Sequence, residues 1–136
     1  RLGFVVLIDM ARSEETLVSS SGLYGIGEIF TNENIKIHSK FVSNPVRFYF
    51  KERLLFDQSL KVCVDKVMTN NPLVERNAII ALGKFRSRKA VEVLKSKFCL
   101  TKETSLHQLI LNTLLNMEEF ELVTTLREQQ IEYQKN

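Results

Sequence analysis

Tryptophan is missing from the 136 residues, proline occurs twice and glycine five times. So little turn-forming material argues against a turn-rich β fold, in which glycine- and proline-marked turns recur every ~8–12 residues. Histidine is equally scarce. His38 and His107 have no second ligand at helical spacing, and no CxxC or HExxH pattern occurs, so no metal, cofactor or catalytic set is expected. The two cysteines, Cys63 and Cys99, sit inside apolar helical patterns and are expected as buried, reduced thiols, not a disulfide framework. A reducing setting fits this, in the cytoplasm or on the cytoplasmic face of a membrane. The apolar stretch LGFVVLI at 2–8 falls far short of the ~20 residues a spanning helix needs. The sequence opens on Arg1 with no methionine, so a piece of a longer chain is expected, with any membrane anchor upstream of Arg1.

What is present is helical periodicity. At 44% hydrophobic and 26% charged, the chain has the balance of one soluble globular domain. The clearest stretch is NPLVERNAIIALGKFRSRKAVEVLKSKF at 71–98. Asn71 caps, Pro72 takes the first helical turn, and Val74, Ala78, Ile79, Leu82 and Phe85 recur on one face. Gly83, near the end of that face, lacks a Cβ and invites another helix close. The chain turns at 86–88, and Ala90, Val91, Leu94 and Phe98 make a second, shorter stripe. Neither helix of such a hairpin hides both stripes, so the unit needs neighbours of its own kind.

Leu73, Val74, Ala78, Leu82, Gly83, Ala90, Val91 and Leu94 give this stretch its resemblance to a HEAT repeat of the short, phycobilisome-lyase-like type. The resemblance implies a right-handed α-solenoid and a platform for binding other proteins. Some HEAT-like families are enzymes, but their marks are missing. There is no His-Glu pair of the deoxyhypusine hydroxylase type and no tryptophan of the alkylpurine glycosylase type. An auxiliary lyase-like module remains open as a fold relative.

Internal repetition is testable by offset. Moving Leu17 onto Leu73, a shift of 56 residues, lays Val18 on Val74, Gly22 on Ala78, Leu23 on Ile79, Ile26 on Leu82 and Gly27 on Gly83. Fifty-six residues is read as two repeats of about 28, shorter than the common HEAT and armadillo periods. The first would pair a helix ending near Phe30 with a second from Asn34 to Val42, and the other would pair 45–56 with 59–68. In that middle repeat, Phe50 and Leu54 are expected to face inward. Gly22, Gly25 and Gly27 follow no strand and lack GxGxxG spacing, so they read as sites of close helix packing. A shift of 32 lays Ile110 on Ala78, Leu111 on Ile79 and Leu114 on Leu82, and Leu122, Val123 and Leu126 on Ala90, Val91 and Leu94. The polar tail beyond suits a terminal repeat with one wet face.

The opening run stays open to three readings. It could be the second helix of an incomplete repeat with Leu2, Val5, Val6 and Met10 packed inward, a buried strand FVVLI, or a trimmed membrane segment. The expected architecture is therefore all-α, a right-handed α-solenoid of about four HEAT-like helical hairpins. It forms one domain over 1–136, with a partial repeat at 1–12 and repeats at about 13–43, 44–70, 71–100 and 101–136.

Charge is regional. Residues 36–102 hold 15 Lys and Arg against 5 Asp and Glu, residues 1–35 hold 2 against 5, and residues 103–136 hold 2 against 6. The resemblance would put Lys36, Lys40, Lys61, Lys66 and Lys95 on a concave side lined by second helices, with Arg86, Arg88 and Lys89 on a turn. Solvated, lysine-rich helix surfaces are the ordinary alternative. The aromatic group Phe48, Tyr49 and Phe56 is too dense for one helix stripe, so one or two of these rings are expected at a contact surface. Together these residues point to a non-catalytic protein-interaction or scaffold module whose partner is another protein with an acidic segment. Nucleic-acid binding by the basic central repeats is the alternative.

Overall fold

The computed structural model describes residues 2–37, 45–85 and 87–135, with side chains described for 5–31, 54–85 and 87–132. Every element among them is a helix: α1 (Leu2–Arg12), α2 (Thr16–Ile37), α3 (Pro45–Lys66), α4 (Pro72–Leu82), α5 (Arg88–Leu100), α6 (Thr104–Asn116) and α7 (Phe120–Lys135). The chain is all-α.

Directions follow from contacts at the helix ends. At the starts of α2 and α4, the Asn71 amide donates to Thr16 Oγ1 at 2.8 Å, and three turns further on Gly27, in the middle of α2, lies against Ala81 near the end of α4. These two helices therefore run side by side in the same direction. Gly83, just past α4, lies against Thr113 of α6 in the same manner. The remaining helices run the opposite way. Ser19 Oγ of α2 donates to Ala11 O of α1, Lys66 at the end of α3 donates to Ser13 O, and Glu75 at the start of α4 pairs with Lys97 at the end of α5. His107, in the first turn of α6, reaches both Thr101 O beyond α5 and Gln130 of α7. The result is one set of parallel helices, α2, α4 and α6, against a second set, α1, α3, α5 and α7.

Packing of the 71–98 stretch matches its pattern. Asn71 Oδ1 accepts from the Val74 amide, Pro72 opens the helix, and Val74, Ala78, Ile79, Leu82 and Phe85 are buried, as are Ala90, Val91, Leu94 and Phe98. Ser13 likewise accepts from the Glu15 amide ahead of α2. Each fully buried branched or aromatic side chain in this core contributes ~1.5–3 kcal/mol of apolar transfer. The two glycines aligned by the 56-residue shift each face the next helix of the parallel set, Gly27 buried within α2 and Gly83 half-buried at the end of α4. Gly27 meets Ala81, and Gly83 meets Thr113, which is Ala81 moved by the second shift of 32.

Four expectations need correction. The segments at 13–43 and 44–70 are not hairpins of about 28 residues; α2 and α3 are single helices of 22 residues each. Thr31-Asn32-Glu33 and Asp57-Gln58 contain neither glycine nor proline, so nothing stops the helix where a turn was expected. The 56-residue shift thus spans one long helix pair. At 1.5 Å per residue, each of its helices is roughly 33 Å long, against about 17–20 Å for α4 and α5. Leu54 is exposed, and on α1 Val5 and Val6 face outward while Ile8 and Ala11 are buried and Leu7 and Met10 half-buried. This face is selected by the contact of Leu7 and Ala11 with Gly22 and Gly25 of α2. Finally, Cys63 is buried but Cys99 is exposed, because Cys99 follows Arg88, Glu92 and Lys95 down the outward side of α5.

Candidate interaction surfaces

The outward side of α2 and α4 carries matched apolar residues. Leu17 is 74% exposed and Tyr24 61% exposed on α2, while Leu73 and Ile80 are exposed on α4. The 56-residue shift carries Leu17 onto Leu73 and Tyr24 onto Ile80, and seven residues separate the two members on each helix. Seven residues are two helical turns, so each pair points the same way about 10 Å apart. Because α2 and α4 are parallel and in register, the four side chains occupy the corners of one patch. Arg76, also exposed, stands beside it. On α6 the corresponding positions are Ser105 and Asn112, exposed and polar, so the patch ends there.

The opposite set of helices is charged, and its sign changes from helix to helix. On α5, Arg88, Lys89 and Lys95 are exposed, with Glu92 among them. On α3, Lys61 is exposed but has Asp57 and Asp65, also exposed, one turn to either side. Lys66 turns inward, donating to the Ser13 carbonyl at 2.8 Å. On α7, Glu121, Glu128 and Glu132 are exposed with Arg127. Among the described side chains, basic residues therefore dominate α5 alone, and no basic stripe continues from it onto the described parts of α3 and α7. Of the other residues read from the sequence, Lys40 and Arg86 lie outside the described residues, as do the side chains of Lys36, Phe48 and Tyr49. Phe56 is half-buried, its ring 5.6 Å from that of Phe30 and 5.3 Å from that of Phe85, so it ties α2, α3 and the end of α4 together.

Two polar features escaped the sequence reading. Glu75 and Lys97 form an ion pair at 2.6 Å with both side chains buried, and Glu75 Oε2 also accepts from the Asn70 amide at 3.1 Å. Both charges suit their places, an anion in the first turn of α4 and a cation in the last turn of α5. A signal existed: the two residues stand eleven positions either side of residue 86, the centre of the hairpin turn, so antiparallel pairing brings them level. His107 stacks on Phe98 with ring centroids 4.2 Å apart, and its Nε2–H donates to the carbonyls of Thr101 at 2.7 Å and Phe98 at 3.1 Å. That tautomer leaves Nδ1 to accept from the Gln130 amide at 3.2 Å. The imidazole thus caps α5 and holds α7.

Chemically, the described residues offer surfaces. Burial pushes the Cys63 thiol far up, away from the reactive thiolate. Among the described residues no group of three His, Cys, Asp or Glu side chains could hold a metal, and no helix is long and apolar enough to cross a membrane. No family model, no curated protein and no solved structure matches the chain.

Proposed function

We propose that this chain is a right-handed, HEAT-like α-solenoid acting as a non-catalytic protein-interaction module. Its partner presents an amphipathic helix to the outward side of α2 and α4. One observation carries the reading: Leu17, Tyr24, Leu73 and Ile80 repeat at the same positions of two parallel helices and are left in water. Two parallel helices that expose apolar side chains two turns apart suit the stripe of a third helix, whose own anchors recur at i and i+7. Arg76 at the rim favours an acidic residue beside that stripe.

Nucleic-acid binding is the second reading, and it rests on the excess of Lys and Arg over 36–102. A phosphate backbone needs positive charge along its path, whereas Lys61 is bracketed by two aspartates and α7 is acidic.

The deciding experiment immobilises the wild-type chain beside a Tyr24→Asp/Leu73→Asp variant of unchanged circular dichroism. Direct binding is then measured for each retained protein after purification. The proposal expects a protein that binds the wild type and loses at least about tenfold in affinity on the variant. Equal binding to both overturns it, as does an affinity for nucleic acid that falls steeply with salt.

A further inference from the structure

The patch on α2 and α4 is apolar at its two ends and polar between them. From 18 to 23 only Ser21 is exposed, and from 74 to 79 only Arg76 is. Asn77 is half-buried, its amide donating to Leu73 O at 2.9 Å. Arg76 has no ion-pair partner among the described residues. Its direction follows from Gly83, which stands seven residues on, two turns along the same side of α4, and faces Thr113 of α6. Arg76 therefore leans from the patch toward α6, whose exposed residues Ser105, Gln108 and Asn112 carry no charge. Glu28 and Lys84 stand a turn beyond Tyr24 and Ile80, past the far end of the patch. The middle of the patch thus holds one charge, and it is positive.

A helix laid along α2 and α4 must answer that charge from the correct position. Its apolar anchors at i and i+7 point down onto the patch, and i+3 and i+4 lean about 50° to opposite sides of the line between them. Seen from the starts of α2 and α4 with the outward side uppermost, α6 lies to the left, because Gly83 falls about 80° anticlockwise of Leu73. The right-handed winding of the partner then decides which residue leans left. It is i+4 if the partner runs parallel to α2 and α4, and i+3 if it runs against them. The aligned dipoles of α2 and α4 favour the antiparallel course. We propose, resting on the docking read above, that the partner helix runs antiparallel to α2 and α4 and carries an aspartate or glutamate at i+3 that pairs with Arg76. The levels agree. With i+7 over Leu73, residue i+3 stands about 6 Å along the helix from it, and Arg76 about 4.5 Å along α4. The partner therefore reads as an apolar residue, two others, an acid, three others and a second apolar residue.

Three synthetic helical peptides test it, each with leucine at i and i+7 in an alanine and glutamine background. They carry glutamate at i+3, glutamate at i+4, or glutamine at both. Titration against the full chain at low salt gives their affinities for the wild type and for Arg76→Gln. The i+3 glutamate peptide should bind the wild type at least about threefold more tightly than either of the others. Arg76→Gln should bring its affinity level with the glutamine peptide, and this cycle cancels any difference in the helicity of the peptides themselves. Arg76→Glu should make it the weakest of the three, because like charges then meet. Equal affinities for the wild type, a preference that survives Arg76→Gln, or tighter binding of the i+4 peptide overturns the proposal. Failure of the docking reading looks different. Peptides that ignore the acid but lose affinity on Tyr24→Asp/Leu73→Asp sink this inference alone, whereas binding to none, or binding unchanged by that variant, sinks both.

Discussion

The helices α1 to α3 and the helices α4 to α7 are held by different physics. In the first region, pairing depends on what is missing. A methyl group on Gly22 would overlap the backbone of Ala11 and Leu7, and one on Gly25 would meet Leu7, so α1 lies on α2 at backbone distance. In the second region, pairing depends on what is added. Short helices of 11 to 16 residues are clasped by the Glu75–Lys97 pair and by His107. The α1–α2 contact is one of backbone approach, with a single buried hydrogen bond from Ser19 Oγ to Ala11 O, whereas in the second region side-chain clasps fix the register of the short helices.

Breaking the clasp should have the largest effect. Lys97→Met leaves Glu75 charged, buried and held only by the Asn70 amide, at a cost of about 3–5 kcal/mol. The Glu75→Leu/Lys97→Met double variant removes both charges and should recover most of that loss, because desolvation of the pair goes with it. Urea midpoints of the three proteins measure this. A double variant as weak as the single one would mean that the pair holds the hairpin by more than mutual neutralisation.

Glycine substitutions sharpen the other side of the comparison. Gly22→Ala must push α1 off α2 and should cost about 2–3 kcal/mol. Gly27→Ala meets Ala81 at 3.4 Å, a distance the neighbour can accommodate, and alanine gains up to about 1 kcal/mol of helix propensity. The two variants should therefore differ by at least about 2 kcal/mol, with Gly27→Ala near or above wild type. Thermal or urea unfolding gives the difference directly. Equal costs would show that the backbone contact between α1 and α2 is not special.

How much of this could be read in advance divides along the same line. The hairpin at 71–98 was legible almost residue by residue, because Asn71, Pro72 and the apolar spacing are local signals that agree with the tertiary contacts. The lengths of α2 and α3 were not, since repeat arithmetic suggested a 28-residue unit while the absence of glycine or proline at 31–33 and 57–58 allowed continuous helices. The surface was the least legible. Charge totals over 36–102 merged outward residues such as Arg88 with Lys66 and Lys97, which turn inward to a carbonyl and a carboxylate. Leu17 and Leu73 were matched by the 56-residue shift as part of a repeat, and only coordinates separate a repeated core position from a repeated exposed one.

The smallest expected effect uses one thiol from each region. Cys99 on α5 is exposed and Cys63 on α3 is buried, so a thiol reagent should modify one group in the native state and the second only on unfolding. The folded state keeps Cys63 protonated by burial, whereas in the unfolded chain the thiol ionises above about pH 8.5. A folded pKa raised above the unfolded one gives stability that is full below pH 8.5 and falls as pH rises. The loss approaches about 1.4 kcal/mol per pH unit over the following range. Cys63→Ala should flatten that dependence and Cys99→Ala should leave it intact, as urea midpoints at pH 7 and pH 9.5 would record. A slope carried by Cys99 instead would place the buried thiol in the wrong region, and with it the packing of α3 against the core.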